Sequence, residues 1–481
     1  MEVGIVGLGV AGISILREIK KQTSRTKHDP LHITVYSEKE SFGTGFPYQP
    51  DDETLLINQY TETMSIDPEN PYDFMDWVKE KKQMNNLKNT HLPRALFGVY
   101  LSEKSSQLLE ELNVTVIYEK VIAVKMQASG QYAIETNNGS KHFDSVHLSV
   151  GHLAYQDPYN LKGNEKYIYN PYPATKRLKY ENVPSTVGII GTGLTAIDTF
   201  LYMRKHYPDV QLSFLSLDER FSSVRGHEPE VETHYFCKES ILKIVTKQNQ
   251  RVTLEQIRTW FEKETADHGI DLSWVWNNLG EGTVEGLQQD MDHLEELGRF
   301  QALIRKMRNC YALLWKALPD TERDLFLAEY GRKWSNFKAP IPQSTAKILI
   351  RTIESGDVQL LSRIKAISKE GGSFRVDFNN DETRVYDTII NASGQQMDLT
   401  RQLELQQPLV RDLIKEELLI PYPYGGVWID HPSMCALDKA GDKIPGLYVY
   451  GQLASGVQFG NSNVELITRS THQSVKDMLK S

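Results

Sequence analysis

Cysteine is scarce in this chain, which has only three among 481 residues: Cys237, Cys310 and Cys435. They lie far apart and form no C-x-x-C pair. We therefore expect no disulfide framework, no zinc knuckle and no thiol–disulfide reductase centre. Scarce cysteine is typical of proteins in a reducing compartment, so we expect a cytoplasmic location.

Long apolar runs and a positive charge excess are also lacking. No stretch of about 18 uncharged apolar residues occurs, so we expect no membrane partner. The apolar start, residues 3–16, lacks a basic segment before it, which favours a first strand and turn over a signal peptide. Because 54 Lys and Arg face 63 Asp and Glu, a net charge of −9, we expect no nucleic-acid partner. The composition gives no indication of the oligomeric state.

A glycine motif stands near the start of the chain. Gly7, Gly9 and Gly12 form G-x-G-x-x-G between a short apolar strand, residues 3–6, and a helical run. In a dinucleotide-binding unit, these glycines permit a tight turn, close approach of a pyrophosphate, and packing of helix on strand. A second strand ends at Glu38, where a carboxylate can accept hydrogen bonds from ribose hydroxyls. The alternative is that Glu38 is a solvated surface charge.

The motif is repeated in the middle of the chain. An apolar strand, residues 186–190, leads into Gly191 and Gly193, and Ala196 takes the third position of the motif. A helical run and a third apolar strand, residues 210–215, follow. One such motif is weak evidence, but two copies, each between a strand and a helix, predict two dinucleotide-binding units.

Each motif is followed by a β-rich stretch that closes on a strand and a glycine, Gly151 in the first copy and Gly394 in the second. The fold class predicted is α/β, with two nested Rossmann-like domains in a glutathione-reductase-like arrangement and a helical insertion. The predicted boundaries are residues 1–160 and 385–481 for the FAD-binding domain, 183–250 and 345–385 for the NAD(P)-binding domain, and 251–344 for the insertion.

The insertion accounts for the greater length of the second copy. Apolar residues recur three and four apart over residues 254–264, 284–318 and 321–330, which predicts helices. Five of the seven tryptophans fall in or beside this segment. An aromatic core is the favoured interpretation, and a cap over a substrate pocket is the alternative.

Several short motifs in order resemble those of the bacterial FAD–NAD(P)-binding flavoproteins, relatives of the class B flavin monooxygenases and amine N-hydroxylases. They are F-G-x-G-x-x-Y at residues 42–48, L-L-x-N at 55–58, D-F-x-x-W at 73–77, P-R at 93–94, V-G-H at 150–152 and the second glycine motif at 191–198. The likeness covers nearly the whole chain. It implies bound FAD and a nicotinamide cofactor.

The glycine motif and this resemblance together predict the FAD contacts. They are Gly7, Gly9, Ala11, Gly12, Glu38, Gly45, Tyr48, Asn58, Met64, Val121, Gly151, Gly451 and Gln452. Asn58 has the alternative of a loop Asx turn, and Met64 that of an ordinary core residue. Where the wider group has Asp after the last glycine, this chain has Gln452.

The second motif predicts the nicotinamide cofactor site at Gly191, Gly193, Leu194, Thr195, Arg220 and Arg225. Both arginines follow the strand that would end at the adenosine ribose, so they favour NADPH over NADH. The nearby Asp218 favours NADH over NADPH, so NADH stays possible. The alternative for the whole second motif is a relic fold that no longer binds a cofactor.

The resemblance implies an FAD-dependent NAD(P)H oxidoreductase, a flavin monooxygenase that acts on a small polar molecule, possibly by N-hydroxylation. Such enzymes need few catalytic side chains because the cofactor carries the chemistry, and Asn58 is the single candidate. The alternatives are a flavin reductase without oxygen insertion and a non-catalytic flavin-binding protein. We expect no metal: His227 and His234, with acidic neighbours, are interpreted as part of a mobile charged loop.

Overall fold

A computed structural model describes residues 1–25, 30–247, 251–460 and 463–480. The chain forms two compact units, Met1–Gln156 with Gln395–Ser481, and Asp157–Gly394. The second unit is thus inserted into the sequence of the first. The return to the first unit was predicted at residue 385, but it lies at Gln395, because the strand before it pairs within the second unit.

The strands are β1 (Glu2–Val6), β2 (His32–Tyr36), β3 (Thr115–Ile117), β4 (Ala123–Met126), β5 (Tyr132–Thr136), β6 (Gly139–Phe143), β7 (Ser145–Leu148), β8 (Tyr167–Ile168), β9 (Thr186–Ile190), β10 (Gln211–Leu215), β11 (Val358–Leu361), β12 (Ile364–Glu370), β13 (Ser373–Phe378), β14 (Thr383–Tyr386), β15 (Thr388–Asn391), β16 (Ile429–Asp430), β17 (Cys435–Leu437) and β18 (Lys443–Val449).

The α-helices are α1 (Val10–Thr23), α2 (Asp73–Lys82), α3 (Arg94–Glu111), α4 (Ala174–Arg177), α5 (Leu194–His206), α6 (Lys238–Lys247), α7 (Leu254–Asp267), α8 (Leu272–Asn278), α9 (Val284–Asp292), α10 (Leu294–Ala317), α11 (Asp320–Phe326), α12 (Arg332–Lys338), α13 (Gln343–Glu354), α14 (Pro408–Lys415), α15 (Ser455–Gln458) and α16 (Val464–Met478). Among the described helices, none combines the length and the apolar character that crossing a bilayer requires.

The first unit is built on a seven-stranded sheet in the order β16-β17-β18-β7-β1-β2-β3. The five strands from β18 to β3 run parallel, and β16 and β17 extend the edge antiparallel. Central β1 and β7 are almost wholly buried, as expected of parallel strands covered on both faces. Strands β4, β5 and β6 form a separate antiparallel meander.

The second unit has the same plan around a five-stranded parallel sheet in the order β11-β10-β9-β15-β8. Its antiparallel meander is β12-β13-β14. Strands β9, β10 and β11 correspond to β1, β2 and β3, and β15 corresponds to β7. The predicted pair of dinucleotide-binding folds is confirmed.

The helical insertion lies between β10 and β11 and includes α6 to α13. The helix predicted over residues 284–318 is divided at His293, whose φ of −128° and ψ of 42° lie outside the helical region. Trp315 and Trp334 are only 3% and 8% exposed, and rings of Phe261 and Phe326 pack on Trp334. This burial supports the aromatic-core interpretation of the insertion.

Side-chain caps begin three helices where the sequence has Thr or Asn. The hydroxyls of Thr253 and Thr283 cap α7 and α9, and the side chain of Asn463 accepts a hydrogen bond from the Leu466 amide at the start of α16. The sequence before this helix also matches a capping box that begins at Ser462, but Ser462 lies outside the described residues. Helix α16 ends at Met478.

Candidate functional site

The first glycine turn requires glycine at Gly7. Its φ is +99°, and a Cβ there would stand 2.3 Å from the carbonyl oxygen of Ser149, just beyond β7. The Gly7 amide donates to the Tyr36 carbonyl at 2.8 Å, and the Ser149 hydroxyl donates to the Gly7 carbonyl at 2.8 Å. The turn is thereby fixed at the carboxyl ends of β1, β2 and β7.

Helix α1 starts immediately over this turn. A Cβ on Gly12 would lie 2.2 Å from the Gly7 carbonyl oxygen, so only glycine allows this approach. Gly9 is the N-cap, Ala11 lies in the first turn, and that turn carries no acidic residue. The amide groups of a helix's first turn have no acceptor within the helix, and they form the positive end of its dipole. This end fits a pyrophosphate.

A loop after β2 forms a second wall beside Gly9. A Cβ on Gly9 would lie 3.2 Å from the Cα of Gly45, whose own φ is +66°. Tyr48 follows in the same loop, and its carbonyl oxygen would be 1.9 Å from a Cβ on Gly98 of α3. Predicted contacts at Gly45 and Tyr48 are thus brought to the glycine turn, and they remain predictions as cofactor contacts.

The other predicted FAD residues follow the carboxyl ends of the parallel strands. Glu38 is two residues beyond β2, is 52% exposed, and has the Lys120 ammonium 4.0 Å from its carboxylate. Val121 is buried in the loop after β3. Gly151 follows β7 and Gly451 follows β18, with φ of +75° and +69° and open space where a Cβ would point. The half-buried Gln452 follows Gly451.

The two remaining predicted contacts of this site have different environments. Met64 is 1% exposed and belongs to the hydrophobic core of the first unit, as its alternative interpretation stated. Asn58 is half-buried in the segment between β2 and α2. Both remain predictions as flavin neighbours.

The second glycine turn repeats the first in a more open form. Gly191 has φ of +105°, and a Cβ on it would lie 2.8 Å from the Ala392 carbonyl oxygen beyond β15. Gly193 is the N-cap of α5, and a Cβ there would meet no described atom within 4 Å. Leu194 and Thr195 supply amides of a first turn without acidic residues. This helix end also fits a phosphate group.

Arg220 lies beside this turn. Its carbonyl accepts a hydrogen bond from the Thr192 hydroxyl at 2.6 Å, and its guanidinium pairs with Glu281 at 2.8 Å. The side chain is 40% exposed. Because Thr192 stands between the two glycines of the turn, the predicted phosphate contact of Arg220 is compatible with its position.

Arg225 differs, because its residue is only 5% exposed. Its guanidinium pairs with Glu228, which also accepts from Arg305 of α10 at 2.7 Å. Burial alone would raise the pKa of the Glu228 carboxyl, but the two arginines hold it below its usual value. The position of Arg225 inside this ion-pair network does not support the predicted phosphate contact.

Two residues to which the sequence gave no site role meet at the strand end beside Arg220: Leu217, which follows β10, and Arg332 of α12. Gly191 donates to the Leu215 carbonyl at 2.7 Å, as Gly7 does to Tyr36. This equivalence places Leu217 where the first unit has Glu38, and Leu217 is 80% exposed. Asp218 pairs with Arg332 of α12. Aligning the two strand ends in the sequence could have found Leu217, whereas Arg332 is too distant along the chain.

Within the described residues, no group of three or more His, Cys, Asp or Glu is arranged to hold a metal. His227 pairs with Glu295 at 2.7 Å and His234 with Asp267 at 3.3 Å. Their neighbour Glu228 is buried. The predicted charged loop therefore contacts α7 through His234 and α10 through His227 and the Glu228–Arg305 ion pair.

Comparison with known proteins agrees with this geometry. Residues 4–153 match a family model described as FAD-NAD(P)-binding, so this part of the chain is an FAD-NAD(P)-binding domain. A curated relative, the uncharacterised protein YdhS of Escherichia coli strain K12, is 22% identical over 215 residues. The match covers 41% of this chain and 38% of that protein, so the chain spans well under half of its relative.

Similar solved structures extend over the whole chain. They include ornithine hydroxylase PvdA of Pseudomonas aeruginosa in its reduced form, with a TM-score of 0.61 and 14% identity over 100% of this chain and 98% of that one. L-lysine 6-monooxygenase of Pseudomonas syringae has a TM-score of 0.62 and 16% identity over 99% and 98%. At these identities the likeness shows the fold, and it confirms the predicted resemblance at that level.

Proposed function

We propose that the chain is an FAD-dependent NAD(P)H oxidoreductase of the monooxygenase type. The observation that carries this proposal is the presence of two glycine turns in one chain, one in each unit, each with a glycine at positive φ followed by a helix start without acidic residues. A flavoprotein that takes electrons from a nicotinamide cofactor needs two such sites. The open space beside Gly193 favours a functional second site over a relic motif.

The residues of each turn supply binding and orientation. Amides of the first turn of α1 would hold the FAD pyrophosphate, Gly45 would form the wall beside Gly9, and the Glu38 carboxylate would accept hydrogen bonds from the ribose hydroxyls. The amides of α5 and the Arg220 guanidinium hold NADPH. Bound FAD supplies the redox chemistry, accepting a hydride and activating oxygen.

The substrate that we propose is a small primary amine. Similar folds belong to proteins named for ornithine, lysine and cadaverine, the last being the monooxygenase DfoA of Erwinia amylovora, with a TM-score of 0.59, 12% identity, and coverage of 100% of this chain and 94% of that one. We also propose a cytoplasmic location, since Cys237, Cys310 and Cys435 form no disulfide, as is typical of proteins in a reducing compartment.

The test is oxygen uptake by the FAD-loaded protein with NADPH, in the presence of ornithine, lysine or cadaverine as probes. A monooxygenase transfers one atom of labelled O₂ to the amine, which mass spectrometry detects as a product heavier by one oxygen. Flavin reduction by NADPH without any labelled product from these amines would instead favour the reductase interpretation. A protein that binds FAD but is not reduced by either nicotinamide cofactor would contradict both.

A further inference from the structure

A cluster of five charged side chains lies where β10 ends in the second unit. Its cations are Arg220, Arg332 and Lys333, and its acids are Asp218 and Glu281. The cluster joins three stretches of the chain: the loop after β10, the segment before α9 and the start of α12. Asp218 pairs with Arg332. Glu281 is therefore the acid that remains for the other two cations.

Glu281 pairs with both of these cations at once. One of its carboxylate oxygens accepts a hydrogen bond from the Arg220 guanidinium at 2.8 Å, and the other accepts one from the Lys333 ammonium. Lys333 also lies over the Trp276 ring, with its Nζ 5.7 Å from the ring centroid. Because both oxygens belong to one carboxylate, the guanidinium and the ammonium flank a single small anion. Such a pair of cations can also hold a phosphate group.

The backbone on both sides of Glu281 is fixed. The Gly280 amide donates to the buried Asp290 carboxylate at 2.8 Å. Gly282 has a φ of +76°, and its carbonyl accepts from the Phe221 amide at 2.8 Å. A Cβ on Gly282 would lie 2.1 Å from the Phe221 carbonyl oxygen, so glycine is required for this approach. The segment before α9 is thereby held against the loop after β10.

A ligand at the second glycine turn can reach this cluster. The Arg220 and Glu281 side chains are 40% and 36% exposed, so both are accessible from solvent. The Arg220 carbonyl accepts from the hydroxyl of Thr192, which stands between the two glycines of that turn. In NADP-binding units of this fold, an arginine near the end of the second strand accommodates the 2′-phosphate. The cluster lies at this strand end.

The Glu281 carboxylate and a 2′-phosphate would compete for the same cations. A phosphate monoester carries about 1.5 to 2 negative charges at pH 7, and a carboxylate carries one. The phosphate therefore gains more from Arg220 and Lys333, and it repels Glu281. Exposed ion pairs contribute little to stability, so little free energy opposes the exchange. The partly exposed Glu281 side chain can turn into solvent.

We propose that Lys333 is a second cation of the 2′-phosphate site and that Glu281 is an internal anion which the 2′-phosphate displaces. This rests on the proposed function, because it requires NADPH in the second unit. Lys333 strengthens NADPH binding and Glu281 weakens it, whereas NADH, which lacks the phosphate, is little affected by either. The helical insertion carries both residues and thereby takes part in cofactor selection.

The test measures calorimetrically the binding of adenosine 2′,5′-bisphosphate and adenosine 5′-monophosphate, which differ only in the 2′-phosphate. Glu281→Gln should lower the dissociation constant of the bisphosphate about 5-fold, as for like charges a few ångströms apart in water. Lys333→Met should raise it about 10-fold, because a charge-assisted contact is lost. Neither variant should change the affinity for the monophosphate. The ratio of the two dissociation constants is thus the readout.

The controls are Glu285→Gln and Lys263→Met, the same charge changes at exposed positions of α9 and α7, which should leave the ratio nearly unchanged. An unchanged ratio in Glu281→Gln or in Lys333→Met would overturn the proposal. Should Lys333→Met fail to fold, Glu281→Gln decides alone.

The wild-type protein separates this proposal from the proposed function. Flavin reduction by NADPH together with equal affinity for the bisphosphate and the monophosphate would overturn the proposal and leave the function standing. A wild-type flavin that neither nicotinamide cofactor reduces would instead contradict the proposed function.

Discussion

The two units share the order of four corresponding parallel strands and the same type of glycine turn, but the surroundings of the turn differ. In the first unit Gly12 allows α1 to approach the Gly7 carbonyl, and the Cα of Gly45 would lie 3.2 Å from a Cβ on Gly9. In the second unit Ala196 replaces the third glycine, and Gly193 has open space beside it. The first turn is thus closed on one side by Gly45, whereas the second turn is open. The closed turn suits a cofactor that stays bound, and the open turn suits a cofactor that binds and dissociates.

The strand ends differ in charge as well. The first unit presents Glu38, an acceptor for ribose hydroxyls, and the second presents Leu217 at the equivalent position. Beside Leu217, the acid Asp218 is already paired with Arg332. The second unit therefore lacks at this position the carboxylate that selects an unphosphorylated ribose, and Arg220 provides a cation nearby.

The largest expected effect is the loss of FAD on Gly9→Val. A Cβ at Gly9 would already lie 3.2 Å from the Cα of Gly45, so the valine side chain would force Gly45 away and distort the turn that is proposed to bind the pyrophosphate. The purified variant should contain no flavin by absorbance. Gly372→Val is the control, because a Cβ at this exposed glycine of the second unit meets no described atom within 4 Å. A variant Gly9→Val that keeps full FAD content would place the cofactor elsewhere.

A second prediction separates the two arginines. Arg225→Met breaks a buried pair and should lower the free energy of unfolding by about 3 kcal/mol, with Arg305 retaining part of the network. Denaturant titration measures this loss. Because the folded pKa of Glu228 lies below its unfolded value of 4.5, the pair stabilises the fold above that pH. The difference from wild type should therefore shrink as pH falls below about 4.5.

Arg220→Ala, the matched variant, should leave stability nearly unchanged, because its ion pair with Glu281 is 40% exposed on the arginine side. It should instead reduce kcat/KM for NADPH about 10-fold, the lower end for a charge-assisted phosphate contact, and spare NADH. Equal losses with both cofactors would mean that Arg220 supports the turn through Thr192 rather than binding phosphate.

A third prediction concerns a carboxylate introduced at Leu217, the position of the second unit that is equivalent to Glu38 in the first. Leu217→Glu should shift the ratio of kcat/KM values toward NADH by about 10-fold, because the carboxylate accepts from a ribose hydroxyl and repels a 2′-phosphate. Leu217→Gln, which bonds without charge, should shift the ratio less. Both are measured as rates of flavin reduction. No change in either variant would show that Leu217 does not stand at the ribose.

The smallest expected effect concerns Gln452. Gln452→Glu adds a negative charge at the predicted flavin contact and should lower the midpoint potential by tens of millivolts, on the order expected at an effective dielectric of about 20 after screening. Gln107→Glu, at an exposed position of α3, is the control. A redox titration that gives an unchanged or higher potential, with FAD content intact, would move Gln452 away from the flavin.

The sequence predicted those features that depend on neighbouring residues. Spacing within a few residues identified both glycine turns, because strand, turn and helix start are local. It did not indicate the ion-pair network around Arg225, since Glu228 and Arg305 meet from positions 77 residues apart in the chain. It joined α9 and α10 across His293, because apolar periodicity continues through the break. It predicted that the chain returns to the first unit at residue 385 rather than at Gln395, since strand pairing is a long-range property.

The most direct measurement is anaerobic mixing of the FAD-loaded protein with NADPH, with the flavin absorbance followed in wild type and in Gly193→Val. A Cβ on Gly193 meets no described atom within 4 Å, so we expect FAD content and stability to be unchanged, whereas the side chain would occupy the space proposed for the phosphate at the second turn. We expect the wild-type flavin to be bleached and the variant to be reduced at least about 100-fold more slowly. Equal bleaching of the two proteins would contradict a nicotinamide site at the second turn.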